Sequence, residues 1–461
     1  MRGRTALFGP HLWGSNSWNE NHCQVLICGR AAMRIIPTVN REGQVEPART
    51  LRELLAGNRD LRRLWLGNLV SVCGGWSSAV AVFAMVYDHS GAGMAAGLTL
   101  AVRYLPGALA GVWGGVLADR ADRRTVMLVT DVAMAVLAAA FLVADEPGRL
   151  WLVYPLTFAS AAAGFVFQAA RNAWMPSLAR PEEYPLYSAA VQVNSLALQA
   201  VGGVAGGVVV GVVGWRWAFV VNAVTFLGSA WLTWSVRTGD RYAGGPPTGW
   251  WRSLRAGLAV AARTRVVAAL LLLEAFFCLG LGGTITGMTY LALRVYELGD
   301  GGTGWFYAVQ GTVGGVVLVV AAARLRTLPA RVHLRVIGVS CLAEGLVTML
   351  LGLPVGIAAA LALWGLVAAA EVVYGPAAMT TLLNATANDN RGRVTALWSA
   401  TATLGLGVSA AATGGLIDTA GIGPAFAGLG LLMAVPGAVW LAMVPRLARS
   451  VEGSRAVSAR T

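Results

Sequence analysis

The sequence predicts an all-α integral membrane protein, with twelve transmembrane helices in two halves of six and both termini on the cytoplasmic side. Three observations lead there. Of 461 residues, 56% are apolar and only 12% are charged, about half of the ~25% that coats a soluble globule. From Leu64 onward the chain repeats one unit, about twenty apolar residues and then a short break, the length of helix that crosses ~30 Å of hydrocarbon. The formal charge of +13 is carried by arginine, in clusters between alternate apolar runs. A basic excess in that arrangement marks membrane topology rather than nucleic acid, and no nucleic-acid partner is expected.

Residues 1–61 are polar, arginine-rich and unpatterned, and read as a cytoplasmic tail that is largely disordered. Within it, Thr50–Arg63 reads as a helix lying along the inner membrane surface. No cleavable signal peptide is expected, because Arg2 and Arg4 are followed by Gly, Pro, His and Asn rather than by an apolar core. The first six-helix half occupies 62–236, with spans 64–87, 94–118, 125–144, 151–170, 188–212 and 217–236. A cytoplasmic linker, 237–265, follows. Its Trp251, Leu254 and Leu258 fall on one helical face, with Arg252 and Arg255 off it, which predicts an amphipathic helix in the interface. The second half occupies 266–445, with spans 266–292, 304–323, 334–353, 355–380, 394–416 and 424–444. A cytoplasmic tail, 446–461, closes the chain. Helices are expected throughout because backbone amides find no partners in lipid.

The arginines test this layout. The tails and the even-numbered loops hold 31 of them, counting Arg335 at the very start of the ninth span with its loop. The opposite side holds only Arg149, Arg216 and Arg294, and Arg103 lies inside a span. That bias puts both termini in the cytoplasm. Five scattered cysteines do not make a disulfide framework. His22, Cys23 and Cys28 amount to half a metal site at most, so no metal is expected.

The loop after the second span reads Gly115-Val-Leu117-Ala118-Asp119-Arg120-Ala-Asp122-Arg123-Arg124. Here the chain resembles the major facilitator superfamily, whose signature in this loop is G-x-L-a-D-r-x-G-r-r, with Asp122 in place of the usual glycine. The resemblance implies the major facilitator fold, and implies that Gly115, Asp119, Arg120, Arg123 and Arg124 gate the cytoplasmic side by tying the second helix to the eleventh. An acidic residue adds nothing to topology, so Asp119 argues for gating over simple anchoring. In the fifth span, Gly202-Gly203-Val-Ala-Gly206-Gly207 resembles the G-P-x-x-G-G element of drug-proton antiporters, with Gly203 replacing proline. The same spacing of small residues also serves plain helix packing. Arg103-Tyr-Leu-Pro106, Gly214-Trp215-Arg216-Trp217 with Asn222, and Arg391-Gly-Arg393-Val394 together resemble the transmembrane secretion effector branch, which includes enterobactin-exporter-like and macrolide-efflux-like proteins. The acidic residue that this branch often carries in its first span is replaced here by Gly74-Gly75.

Ionisable groups at mid-membrane are expensive, about 2.5–3.5 kcal/mol on insertion scales, and so are functional candidates. Glu371 in the tenth span is the first choice for a proton or substrate site, and Glu274 in the seventh is the second. The resembled fold puts both of these spans around the central cavity, and a carboxylate in such a place can exchange protons near neutral pH. Glu344 in the ninth span reads as a structural hydrogen-bonding group. Arg103 either neutralises one of these acids or binds an anionic substrate. Asp131 is expected to pair with Arg123 or Arg124. Gln192, Asn194, Gln199, Asn222, Gln310 and Trp76 are the expected cavity polar groups. A mostly apolar wall with a few polar groups suits an amphiphilic organic molecule better than a sugar.

The function expected from these features is proton-coupled efflux of a hydrophobic or amphiphilic small molecule by alternating access, in a bacterial inner membrane. Uptake by the same fold is the alternative. A membrane enzyme or sensor is disfavoured, because no internal loop carries an acid or histidine cluster. No catalytic residue is expected, and no cofactor beyond the proton gradient. The P-loop G-x-x-x-x-G-K-[ST] is absent. A monomer in the lipid bilayer would suffice.

Overall fold

A computed structural model of the chain describes residues 25–28, 32–35, 51–91, 93–118, 122–146, 148–179, 183–237, 250–325, 328–387 and 390–458. Twelve long helices dominate it. The first six are α2 (Arg59–Ser90), α3 (Gly93–Ala118), α4 (Arg123–Ala144), α5 (Val153–Leu178), α6 (Tyr184–Val213) and α7 (Trp215–Trp234). The second six are α9 (Arg265–Tyr290), α10 (Thr303–Leu325), α11 (Ala330–Leu351), α12 (Ile357–Asn384), α13 (Arg391–Ala420) and α14 (Ile422–Ser458). Each expected span falls on one of these helices and overhangs its end by no more than two residues, while several helices run well past the span, α5 to Leu178 and α14 to Ser458. Among the described residues, eleven helices are long and apolar enough to cross a membrane. The remaining one, α3, matches α5 and α9 in length at 26 residues and is packed between α5 and α13. The protein is a multi-pass membrane protein.

The packing repeats itself. In the first half, α2 lies against α6 and α7, α4 against α5 and α7, and α3 against α5. Six helices on, α9 lies against α13 and α14, α11 against α12 and α14, and α10 against α12. Even the tightest connections correspond. Gly214 joins α6 to α7 at φ +87°, and Gly421 joins α13 to α14 at φ +84°, a left-handed conformation that glycine adopts without penalty. The two halves meet along two matching seams, α6 on α10 and α3 on α13.

Helix ends follow local chemistry. Asn58 caps α2, its side chain accepting from the Leu61 amide at 2.9 Å. Asp122, the departure from the usual glycine of the loop motif, caps α4 in the same way, accepting from the Thr125 amide at 2.9 Å.

Within the tail 1–61, the described residues include an antiparallel hairpin, β1 (Val25–Cys28) with β2 (Ala32–Ile35), and α1 (Leu51–Gly57), whose Leu54 and Leu55 are buried against the first half. The linker helix α8 (Trp250–Arg263) turns Gly257 and Ala261 inward, with Gly257 close to Arg393 of α13, while Leu258 is exposed; the side chains of Trp251 and Leu254 lie outside the described residues. Two expectations need correcting. Thr50–Arg63 is not one surface helix: the Asn58 cap breaks it, and its last turn belongs to α2. Arg171, assigned to a loop by the arginine count, is buried inside α5 and donates to Asn68 of α2.

Candidate functional site

The polar groups of the membrane interior fall into three places. The first is the seam between α6 and α10. Gln199 of α6 donates through Nε2 to Gln310 Oε1 of α10 at 3.0 Å. Gln310 in turn donates through Nε2 to Glu371 Oε2 of α12 at 3.1 Å. This two-bond relay runs from the first half into a carboxylate of the second. Beside it, the ring of Trp76 on α2 meets that of Tyr307 on α10 at 5.1 Å. The glycine motif explains why the seam is so close. An added Cβ at Gly202 would stand 2.9 Å from the Cys73 carbonyl oxygen, and one at Gly206 would stand 2.6 Å from Ser77 Cα, both on α2. At Gly203 it would stand 2.6 Å from Tyr307 Cβ, and at Gly207 2.8 Å from the Gly301 carbonyl oxygen, both in the second half. One helix thus presents two small-residue faces, one to its own half and one to the other.

The second place is the core of the second half. Glu274 of α9 is buried and accepts from Tyr374 Oη at 2.9 Å and from Cys278 Sγ at 3.4 Å. Glu344 of α11 is fully buried, and neither of its carboxyl oxygens has a hydrogen-bond partner among the described residues. This corrects the expectation of a hydrogen-bonded structural group. A buried polar group without a partner costs about 1–3 kcal/mol. Glu344→Met is therefore expected to raise the unfolding midpoint of the purified protein by a few degrees. A fall of several degrees in a thermal melt would show that Glu344 has a stabilising partner after all.

The third place is a cavity of about 270 Å³ inside the first half, walled by α2, α3, α4, α5 and α7. Arg103 and Asn222 line it, together with Thr157, Gln168 and several phenylalanines. None of Glu274, Glu344 and Glu371 does, and neither do Gln199, Gln310 and Trp76. Asn194 is half-buried on α6, with its Nδ2 unpartnered among the described residues. The side chain of Gln192 lies outside the described residues. Asp131 is fully buried and accepts from Ser229 of α7 at 2.9 Å, so its partner is a hydroxyl rather than Arg123 or Arg124. Arg124 instead donates to the Trp234 carbonyl. Among the described residues, Arg103 forms no direct ion pair with an acid; Tyr104 stands within electrostatic reach of both Arg103 and Glu371.

On the side of the membrane opposite the termini, the halves are latched by contacts that sequence reasoning did not find. Asp418 of α13 accepts from the backbone amides of Gly93 and Met94 at the start of α3, both at 2.8 Å. Arg294 donates to the Gly91 carbonyl at 3.1 Å and lies over the Tyr87 ring. In the loop before α10, partial burial and then the neighbouring Asp88 carboxylate of the first half raise Asp300 from its ordinary value. Within the first half, Asp145 accepts from Trp215 Nε1 at 2.8 Å and from Arg216 Nε. Pairing partners 70 or more residues apart leave no periodic signal in a sequence. Only the odd carboxylate close to an apolar span hints at them.

On the termini side, Gly115, Leu117 and Ala118 of the loop motif fall in the last turn of α3, while Asp119 and Arg120 lie outside the described residues. Cys73, Cys278 and Cys341 are free thiols. His22 and Cys23 lie outside the described residues.

The sequence profile of the Major Facilitator Superfamily matches residues 64–373. Among solved structures, the fold is similar to a bacterial homologue of the human lysosomal transporter Spinster, inward-facing and unoccupied, at 18% identity and TM-score 0.61, covering 86% of this chain and 96% of that one. It is also similar to the nucleoside transporter NupG at 11% identity and TM-score 0.63, covering 83% and 98%. A third likeness is to the human organic anion transporter MFSD10, at 14% identity and TM-score 0.59, covering 83% and 99%. No curated protein matches the chain by sequence.

Proposed function

The chain belongs to the Major Facilitator Superfamily, and we propose on that premise that it is a proton-coupled exporter of an amphiphilic small molecule, of the transmembrane secretion effector branch. It would sit in a bacterial plasma membrane with both termini in the cytoplasm. The alternating arginines support that orientation. The observation that carries the proposal is the relay Gln199–Gln310–Glu371. It joins a membrane-embedded carboxylate to the surface along which the two halves must move against each other. A proton arriving at or leaving Glu371 changes what Gln310 donates to, and through Gln310 changes the hold on Gln199 across the seam. Alternating access then follows as rocking of one half on the other, with Glu274 and Glu344 as further buried carboxylates in the moving half. The proton supplies about 2.3 kcal/mol per 100 mV, enough for a substrate gradient of about fiftyfold. No cofactor, metal or partner subunit is required by this scheme.

The test is proton flux in inverted membrane vesicles energised by respiration, with lipophilic cations, macrolides and siderophore-like compounds added in turn. Export predicts that one class evokes proton release from the vesicle lumen together with its own accumulation there. Accumulation of that class in whole cells, and not in inverted vesicles, would reverse the direction.

A further inference from the structure

The proposal above leaves the charge of the substrate open, and the cavity of the first half bears on it. Arg103 is an exposed guanidinium on the wall of that cavity, deep in an apolar helix, and it makes no hydrogen bond or ion pair to any described residue. A cation at mid-membrane without a counter-ion is expensive, and intramembrane charges normally pair. The described acids of the interior are engaged elsewhere or sit apart: Glu274 with Tyr374 and Cys278, Glu371 with Gln310, Asp131 with Ser229, and Glu344 in the other half. Two more polar groups on the cavity wall lack partners among the described residues, the Asn222 Oδ1 and the Thr157 hydroxyl, both buried. The remaining wall is aromatic and aliphatic, with Phe83, Phe141 and Phe226 among its residues.

We infer that this cavity is a binding site for an amphiphilic anion, with a carboxylate or similar group on Arg103 and an apolar body against the phenylalanines. The guanidinium is a fork of donors that matches a carboxylate. The Thr157 hydroxyl adds a further donor. The volume of about 270 Å³ is near the lower end of ligand pockets, ~300–1,000 Å³. It fits a compact molecule of one or two rings, and it is too small for the two acyl chains of a phospholipid. This inference rests on the transporter reading for its purpose, but its test does not.

The protein is reconstituted in phosphatidylcholine nanodiscs without any gradient. Equilibrium dialysis then measures binding of three probes of nearly equal size: 1-naphthoate, 1-naphthylmethanol and 1-naphthylmethylammonium. The expected result is that naphthoate binds at least about tenfold more tightly than the other two, the ~1.4 kcal/mol of one charge-assisted contact. Arg103→Gln is expected to level the three affinities, and Arg103→Lys to keep most of the preference. Equal or tighter binding of the alcohol or the ammonium by the unaltered protein overturns the inference without any variant having to fold. Abolition of naphthoate binding by phosphatidylglycerol in the disc would assign the seat to a lipid headgroup and also overturn it. Proton release evoked by cationic amphiphiles, with no naphthoate preference, would sink this inference and leave the transporter reading standing. Selective naphthoate binding with no proton-coupled flux for any substrate would do the reverse.

Discussion

Glu371→Gln is expected to abolish proton-driven transport while leaving the protein folded. The amide that replaces the carboxylate still presents an oxygen to Gln310, now 3.1 Å from Glu371 Oε2. The relay to Gln199 and the packing of α12 are therefore preserved. What is lost is the ability to take up and release a proton. Substrate-evoked proton release in vesicles should fall to the level of vesicles without the protein. Exchange of substrate across the membrane in the absence of any gradient should persist, because it needs only the rocking motion. The unfolding midpoint should stay within about 2–4 °C, the equivalent of ~1 kcal/mol in a smaller domain. If proton-driven transport by this variant is undiminished, Glu371 leaves the mechanism. Glu274, held by Tyr374 and Cys278, would then take first place.

Substitutions in the glycine motif should divide cleanly by face. An added side chain at Gly203 or Gly207 meets the other half, at Tyr307 Cβ and at the Gly301 carbonyl respectively. Gly203→Leu is therefore expected to wedge the α6–α10 seam open. An added side chain at Gly202 or Gly206 meets α2 of the same half, so Gly206→Leu is expected to destabilise the first half as a folded unit. Overpacking of this kind costs about 1–3 kcal/mol. Spent on a two-state equilibrium, that energy shifts the populations by about 5- to 150-fold. Spin labels at Ser90 and Asp300, exposed positions on opposite sides of the seam, report the difference. The Gly203 variant should lengthen their mean distance at little loss of thermal stability. The Gly206 variant should lower the unfolding midpoint and leave the distance distribution alone. Equal effects on both readouts from both variants would mean that the motif has no division of labour.

Several features were legible before any coordinates. The positions of the twelve helices were, because each span is set by one local requirement, that backbone amides in hydrocarbon bond within their own segment. Asp122 shows the limit of motif reading. In the sequence it is only a departure from a pattern; in the structure it is a helix cap that accepts from an amide three residues on. The spacing of Gly202, Gly203, Gly206 and Gly207 indicated close packing, but not that its two registers serve different neighbours.

By itself the sequence determined the number and order of the membrane helices and the alternation of their basic connections. It also marked out the small set of ionisable groups inside the spans. Those properties depend on neighbours in the chain and on the thickness of the bilayer, so they can be read in one dimension. Only the tertiary structure decided which partner each of those groups finds. Gln199 finds Gln310 at a separation of 111 residues, Glu274 finds Tyr374 at 100 and Asp131 finds Ser229 at 98, while Arg103 finds no described partner. Such pairings depend on how far each helix is rotated about its own axis against helices distant in the chain. That rotation is set by side-chain packing across the bundle.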